Sequence, residues 1–391
     1  MKRHGWLLLL GALCAIGPLS IDMYLPSAPF MAREFGSEGQ TVQLSVVSYL
    51  VGLLVGQLLY GPLSDRHGRK PPLYVGLWLY GCSSVACALV DSAVPFICLR
   101  FLQGLGGCAG MVIARAIVRD RTNAVGAARA FSLLMLVVSV APLLAPLLGA
   151  AVFQQWGWRA VFGGMGLFGA LCLTAIHFWM RETREANTTS RFSWLGIARN
   201  YGRLLGDRQF VVYTLCNGLL QGGMYAYISG SAAVLMNVYG LSPRHYSWVF
   251  AANSLGMIVA AQLNAVLTSR LALARIVERA LWLPAGLGLA AAGLDSDPSI
   301  WILLIGLFLF LSSIGFVAPN AAAIALSNHA ENAGAASALM GTMLFVLGTL
   351  SAIATAALHD DSARSLLIVM AICSTGAILV FYLAARQRTI D

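Results

Sequence analysis

Twelve apolar runs, each about as long as a membrane-crossing helix, divide this chain of 391 residues. A bilayer core about 30 Å thick is crossed by a helix of about 20 residues. Charged, proline and glycine residues separate the runs and predict helices over residues 5–26, 43–63, 72–91, 95–118, 131–153, 159–180, 210–236, 245–268, 274–293, 299–327, 334–357 and 365–385. The pattern therefore predicts an all-α polytopic membrane protein with twelve transmembrane helices in two pseudo-symmetric six-helix bundles.

The residue content excludes most other classes of protein. Hydrophobic residues make up 59% of the chain and charged residues only 10%, whereas soluble domains are about 25% charged. Such an apolar chain is not disordered. The formal net charge of +9 is explained by basic loops on one side of a membrane, so we expect the lipid bilayer, and no nucleic acid, as a partner.

Polar segments predict the domain boundaries and the orientation. We expect an N-terminal bundle over residues 1–182, a cytoplasmic linker over 183–208 and a C-terminal bundle over 209–391, with an amphipathic segment at 194–205 on the membrane surface. Most of the 25 basic residues fall on the side of the N-terminus. This bias places both termini in the cytoplasm.

Asp22 is the acid that most constrains the mechanism. It lies inside the first predicted helix, whereas the other acids among the total of 16 fall in loops, tails or helix ends. A carboxylate inside a membrane is costly unless it takes up a proton or pairs with a cation. Asp22 is thus predicted to bind a proton or cation, and the alternative is a structural acid paired with an arginine.

Two arginines lie inside the fourth predicted helix. Counting residues from the predicted helix ends places Arg100 at about the depth of Asp22, so we expect the two to pair. Arg115 lies nearer the cytoplasm. It is predicted either to line an inner vestibule or to extend its charge to the membrane interface.

Motifs for other chemistry are missing from the sequence. The two lysines, Lys2 and Lys70, do not follow glycine, so no Walker A loop is present. The glycines of residues 104–107 lie inside a predicted helix without a preceding strand, and favour helix packing. The spacings 52/56 and 106/110 favour close helix contact in the same way. The sequence shows no metal-binding spacing and no repeated filter motif, which leaves an ion-coupled carrier as the favoured class over an enzyme or channel.

Several motifs resemble those of a known family. The loop signature of the major facilitator superfamily is similar to residues 61–70, GPLSDRHGRK, and its second motif is similar to residues 100–104, RFLQG. Its antiporter motif resembles residues 142–149, although Ala-Pro replaces the usual Gly-Pro pair. Residues 18–26, PLSIDMYLP, resemble the Bcr/CflA drug-exporter family. The second-half copy of the loop signature, around residues 264–279, lacks the Gly-Arg-Lys pattern, so a symmetric gate is not expected.

The resemblance implies the major facilitator fold and a drug:proton antiporter. It implies a monomer in the bacterial inner membrane that exports small-molecule drugs, such as bicyclomycin and chloramphenicol-type compounds, by alternating access. The proton gradient would supply the energy without a cofactor, and Asp22 and Arg100 would couple it to export. The alternative is a proton-coupled transporter of an endogenous metabolite or sugar. Importers usually carry more membrane acids, which favours export modestly.

Polar and aromatic residues inside the predicted helices are candidate drug contacts, and the alternative for each is a hydrogen bond between helices. Met224 and Tyr225 also resemble drug-contacting positions of related carriers. The predicted substrate-binding residues are Tyr24, Tyr49, Gln103, Arg115, Asn217, Gln221, Met224, Tyr225 and Asn253.

The loop signature is predicted to form a cytoplasmic latch that closes when the carrier opens outward. We expect Asp65 to pair with Arg119 or to face the N-terminus of the eleventh helix, and Arg66 or Arg69 to pair with Asp120. The alternative is a basic loop that only sets topology. The predicted gating residues are Gly61, Asp65, Arg66, Gly68, Arg69, Lys70, Arg119 and Asp120.

Overall fold

A computed structural model describes residues 5–36, 40–122, 124–183, 194–292, 298–329, 333–358, 360 and 362–386. Over these residues the protein is helical and contains no strand. Residues 184–193 of the predicted linker lie outside the described residues.

The described residues of the first half of the chain form seven α-helices. They are α1 (Gly5–Asp22), α2 (Ala28–Glu34), α3 (Gln40–His67), α4 (Lys70–Leu89), α5 (Ala93–Arg121), α6 (Ala124–Trp156) and α7 (Trp158–Trp179). A 3-10 turn over Leu25–Ser27 separates α1 from α2.

The part of the second half that the structure describes also forms seven α-helices. They are α8 (Trp194–Gly206), α9 (Arg208–Ala232), α10 (Pro243–Leu267), α11 (Leu273–Ala292), α12 (Ile300–Leu326), α13 (Ala333–Ala357) and α14 (Arg364–Arg386). A π-helical segment, Ala233–Val238, follows α9. The helix α8 covers the segment predicted to be amphipathic.

Each of the twelve predicted membrane helices has a counterpart in the structure. Within the described residues, 10 helices are long and apolar enough to cross a membrane. The two other counterparts, α9 and α11, are long enough but less apolar. In α9 the polarity comes from amide, hydroxyl and phenol side chains, and in α11 from charges in its first two turns. Helices of this polarity lie in a membrane only where other helices cover them.

The contacts divide the chain into two compact units. Unit 1 comprises Met1–Phe192 and Ser242–Ala251, and unit 2 comprises Ser193–Leu241 and Ala252–Asp391. The start of α10 therefore groups with unit 1, where the hydroxyl of Ser247 donates to the carbonyl oxygen of Pro146 at 3.0 Å.

Candidate functional site

The first membrane span is interrupted beside its acidic residue. The helix α1 ends at Asp22, and after the 3-10 turn α2 carries the chain to Glu34. Pro26 has no N–H to donate to the carbonyl oxygen of Asp22 four residues earlier, so a regular helix does not continue. The predicted end of this helix at residue 26 is wrong, because the span contains a break and runs on to Glu34.

Asp22 lies at this break with one carboxylate oxygen unpartnered. The residue is 3% exposed, and its Oδ1 has no hydrogen-bond partner in the described part of the chain. An ionised carboxylate removed from water without a hydrogen bond is very costly. This position therefore favours a carboxylate that takes up a proton, or one that meets a donor in another conformation. Broken helices are also where transporters bind ions and solutes.

Arg100 is held by aromatic rings rather than by a carboxylate. It is fully buried in α5, and its Cζ lies 4.4 Å from the ring centroid of Tyr24 and 4.5 Å from that of Tyr49. The ring of Phe162 is 5.9 Å away. Nη1 donates to Oε1 of Gln103, whereas Nε and Nη2 have no acceptor among the described residues. The ring faces stabilise the cation and leave two nitrogens, Nε and Nη2, to donate to a further acceptor.

Glycine allows the helices around Arg100 to approach closely. A Cβ at Gly104 in α5 would overlap the carbonyl oxygen of Tyr49 in α3, and one at Gly52 would overlap that of Phe101. This backbone contact brings the ring of Tyr49 over the guanidinium. The predicted packing role of positions 52, 56, 106 and 110 is confirmed, because atoms of a neighbouring helix fill the space beside each.

Hydrogen bonds hold the polar neighbours of Arg100 in place. The amide of Gln103 donates to the hydroxyl of Ser84 at 2.8 Å. The phenol of Tyr24 and the hydroxyl of Ser45 lie 2.8 Å apart, and the phenol of Tyr49 donates to a backbone carbonyl of α1 at 3.4 Å. Three of the predicted substrate-binding residues, Tyr24, Tyr49 and Gln103, thus surround Arg100.

The predicted ion pair between Asp22 and Arg100 is wrong for this structure: none joins them within the described residues. The depth argument fails because the span ends at Glu34. Asp22 lies twelve residues before that end, or about 18 Å along a helix. Arg100 lies seven residues after the start of α5 at Ala93, or about 10 Å. Tyr24, closer to the span's end, meets the guanidinium instead.

Arg115 is half-buried in α5. This position does not decide between the two predicted roles of Arg115. Lining an inner vestibule and extending to the membrane interface both stay predictions.

A second cluster of charges surrounds Arg69 between α3 and α4. Its Nη1 donates to Oδ1 of Asp65 at 2.7 Å and to Oγ of Ser64 at 2.9 Å. Its Nε and Nη2 donate to the two carboxylate oxygens of Asp120 at 2.7 and 3.1 Å. Such a fork is among the strongest of charge-assisted contacts. The predicted Arg69–Asp120 pair is therefore confirmed.

Burial and ion pairing shift the pKa of Arg69 in opposite directions. Burial lowers the pKa of its guanidinium, and the hydrogen bonds to Asp120 and Asp65 raise it, with a net increase. The group stays charged, so loss of this proton does not break the cluster. Asp65 pairs with Arg69, a partner that the sequence did not predict, and Arg119, which was predicted to pair with Asp65, lies exposed near the end of α5.

The turn that carries Arg69 depends on one glycine. Gly68 has φ +86°, a conformation that glycine adopts without steric cost. Beside Gly61 there is open space, so packing does not require a glycine there. Arg66 is exposed, and Lys70 is half-buried at the start of α4.

Glu182 belongs to this cluster and was not among the predicted residues. Its carboxylate accepts the backbone N–H groups of Arg69 and Lys70 at 2.8 and 2.9 Å. It thereby caps the N-terminus of α4, where a negative charge is favoured. The next residue, Thr183, donates its hydroxyl to Asp120 at 3.2 Å. The sequence signal for this role is weak, because an acid just after a membrane helix is common.

In unit 2 the candidate drug contacts of α9 share one helical face. Asn217, Gln221 and Tyr225 follow each other at intervals of four residues, with Met224 beside them. The amide of Gln221 donates to Oδ1 of Asn217 at 3.3 Å. In α10 the amide of Asn253 donates to the phenol of Tyr227 at 3.0 Å. This last bond fits the alternative, a bond between helices.

The family of the chain follows from its sequence relatives. The family model described as Major Facilitator Superfamily matches residues 8–352. The chain therefore belongs to the Major Facilitator Superfamily, and its all-α structure of membrane-crossing helices is a major facilitator fold.

Three curated relatives align with most of the chain. It is 34% identical over 355 residues to an uncharacterized MFS-type transporter, YdgK, of Bacillus subtilis, covering 89% of this chain and 88% of that protein. It is 28% identical over 379 residues to a bicyclomycin resistance protein homolog of Haemophilus influenzae, covering 96% and 95%. It is 33% identical over 319 residues to a chloramphenicol resistance protein of Pseudomonas aeruginosa, covering 80% and 71%.

A solved structure supports the fold alone. The chain is similar to a bacterial homolog of the human lysosomal transporter Spinster in an inward-facing and occupied conformation, with a TM-score of 0.76 and 16% identity. The similarity covers 97% of this chain and 96% of that one.

Proposed function

We propose that this membrane protein is a drug:proton antiporter of the bacterial inner membrane, with both termini in the cytoplasm. The observation that carries the proposal is the buried carboxylate of Asp22, with an unpartnered oxygen at a helix break. A proton is the smallest partner that removes the cost of its charge. Relatives named for bicyclomycin and chloramphenicol resistance support small drugs as the exported solutes.

In this mechanism Asp22 takes up a proton when the carrier is open to the outside. Asp22 releases the proton when the carrier is open to the cytoplasm. Arg100 keeps its charge between Tyr24 and Tyr49. Its Nε and Nη2 have no acceptor among the described residues, and they can donate to a drug carbonyl in another state of the cycle. Antiport requires that the proton and the drug bind in alternation.

The cluster around Arg69 serves as the conformational latch of this cycle. Two carboxylates hold the buried guanidinium, and Glu182, the residue before the linker, accepts the backbone N–H of Arg69 in the same turn. Opening the cluster would leave a buried charge without its partners, which is costly. The latch therefore favours one state until the proton step releases it.

Drug-dependent proton release from everted vesicles tests the proposal. Vesicles with an acidic interior carry the wild-type chain or Asp22→Asn, and a pH-sensitive dye follows proton release when chloramphenicol or bicyclomycin is added. The control is Asp360→Asn, the same change at an exposed acid.

We expect each exported drug to release protons with the wild type and with Asp360→Asn, and not with Asp22→Asn. Release that persists in Asp22→Asn would place coupling elsewhere. Proton movement with sugars or metabolites, and none with drugs, would favour the alternative transporter.

A further inference from the structure

The ring of Tyr225 packs against α13 at Gly348, where the helix has no side chain. A Cβ at Gly348 of α13 would lie 2.8 Å from Cε2 and 3.0 Å from Cγ of Tyr225, and closer still to Cδ2. All three atoms belong to a rigid ring, so a methyl group there displaces the whole ring. Normal contact between carbons is about 3.5–4.0 Å, which requires a shift of about 1 Å.

A second aromatic residue limits where the ring can go. Phe345 lies one helical turn before Gly348, and its ring centroid is 6.3 Å from that of Tyr225 with an angle of 39° between the rings. Gly348 itself is buried. The position of Tyr225 therefore depends on the missing side chain at 348 and on the ring at 345.

Other glycines along this contact receive different groups. A Cβ at Gly218 of α9 would lie 2.5 Å from the terminal methyl carbon Cδ1 of Leu347. A Cβ at Gly222 would lie 2.6 Å from the hydroxyl oxygen of Ser351. These groups are ends of flexible side chains, which can rotate away. Gly348 differs because the group packed against it is an aromatic ring, and that ring belongs to Tyr225, a candidate drug contact.

Tyr225 extends a row of polar side chains on α9. Asn217 and Gln221 are hydrogen-bonded to each other at 3.3 Å, and Tyr225 is the next residue at the same spacing. Tyr225 is half-buried, so the exposed part of its surface can contact a solute. A shift of about 1 Å in such a group is enough to change the fit of a rigid ligand.

From this geometry we infer that Gly348 is a specificity-determining positioning residue, which sets the drug selectivity of the carrier by placing the ring of Tyr225. The inference rests on the proposed drug export. A bulkier residue at 348 changes which drug fits and leaves proton coupling through Asp22 intact.

Transport kinetics of matched variants test this inference. Chloramphenicol and bicyclomycin are measured in vesicles with wild type, Gly348→Ala, Tyr225→Ala and the double variant. Gly218→Ala, a glycine of the same helix contact that does not touch Tyr225, is the control. We expect Gly348→Ala to change the ratio of the two KM values about tenfold, with kcat within about twofold.

The double variant separates positioning from general damage. In the Tyr225→Ala background, Gly348→Ala has no ring to displace, so its effect on the KM ratio should disappear. Gly218→Ala should leave the ratio unchanged. If Gly348→Ala does not reach the membrane, the double variant should restore its expression. Failure to restore it would overturn the inference.

Three results distinguish this inference from the proposed function. A wild type that exports both drugs, with an unchanged KM ratio in Gly348→Ala, overturns the role of Gly348 alone. An equal change in the ratio with Gly218→Ala does the same, because loosened packing then explains it. A wild type that exports neither drug overturns the proposed function and this inference with it.

Discussion

The two units of this transporter bury different kinds of polar group. Unit 1 buries charges at Asp22, Arg69 and Arg100, whereas the buried polar residues of unit 2, over the residues that the structure describes, are amides and hydroxyls. A buried charge costs several times more than a buried amide unless it is paired or titrates. The difference teaches that, among the described residues, the buried carboxylate and guanidinium groups are concentrated in unit 1.

The clusters that join helices show the same contrast. In unit 1 the guanidinium of Arg69 joins α3 and α5 through Asp65 and Asp120. In unit 2 two buried amides join α10 and α12: Nδ2 of Asn320 donates to Oδ1 of Asn264 at 2.6 Å. Asn264 belongs to the second-half segment that lacks the Gly-Arg-Lys pattern. When a neutral pair separates, no buried charge is left without a partner. The amide pair therefore suits a permanent contact better than a contact that opens and closes during transport.

The largest expected effect is at Arg100, the buried cation of unit 1 that packs against two aromatic rings. Arg100→Lys should lower drug export about 30-fold, because an ammonium cannot stack on two rings and also reach Gln103 as the planar guanidinium does. Initial rates of drug uptake into everted vesicles measure the loss. Arg159→Lys is the matched control, since Arg159 is a partly exposed arginine paired with Glu34 and Asp91, and should retain export within about twofold. Full export by Arg100→Lys would show that unit 1 needs only a positive charge at this position.

A smaller effect is expected at the latch. Asp120→Asn removes the charge that both Nε and Nη2 of Arg69 contact, and should lower export about tenfold. Glu278→Gln in unit 2 is the control, because Glu278 is an acid bonded to the neutral phenol of Tyr382. It should change the rate less than about twofold. Equal losses from both variants would remove the contrast between the units.

The smallest effect is expected at the amide pair of unit 2. Asn320→Ala leaves the buried amide of Asn264 without its partner, and should lower the Tm of the purified protein by about 2–4 °C, with export within about twofold. Adding Asn264→Ala should lower the Tm by less than the sum of the single changes. Thermal unfolding in detergent measures both. A loss of export as large as that of Asp120→Asn would mean that this pair also switches.

Local sequence was sufficient for the class of protein and for several contacts. Apolar runs predict membrane helices because each span is decided by its own residues. The Arg69–Asp120 pair was also predictable, since both residues lie at the same end of neighbouring helices. Glu182 was not, because its role depends on where the end of α7 meets the start of α4.

The sequence by itself determined a twelve-helix membrane carrier with one acid inside its first span. Only the tertiary structure decided that this span breaks after Asp22, that Arg100 rests on Tyr24 and Tyr49, and that Tyr225 fits against Gly348. The physical reason is that hydropathy is a local property of each segment. Which side chains meet depends on the depth and rotation of whole helices, and these are set by contacts between residues far apart in the chain.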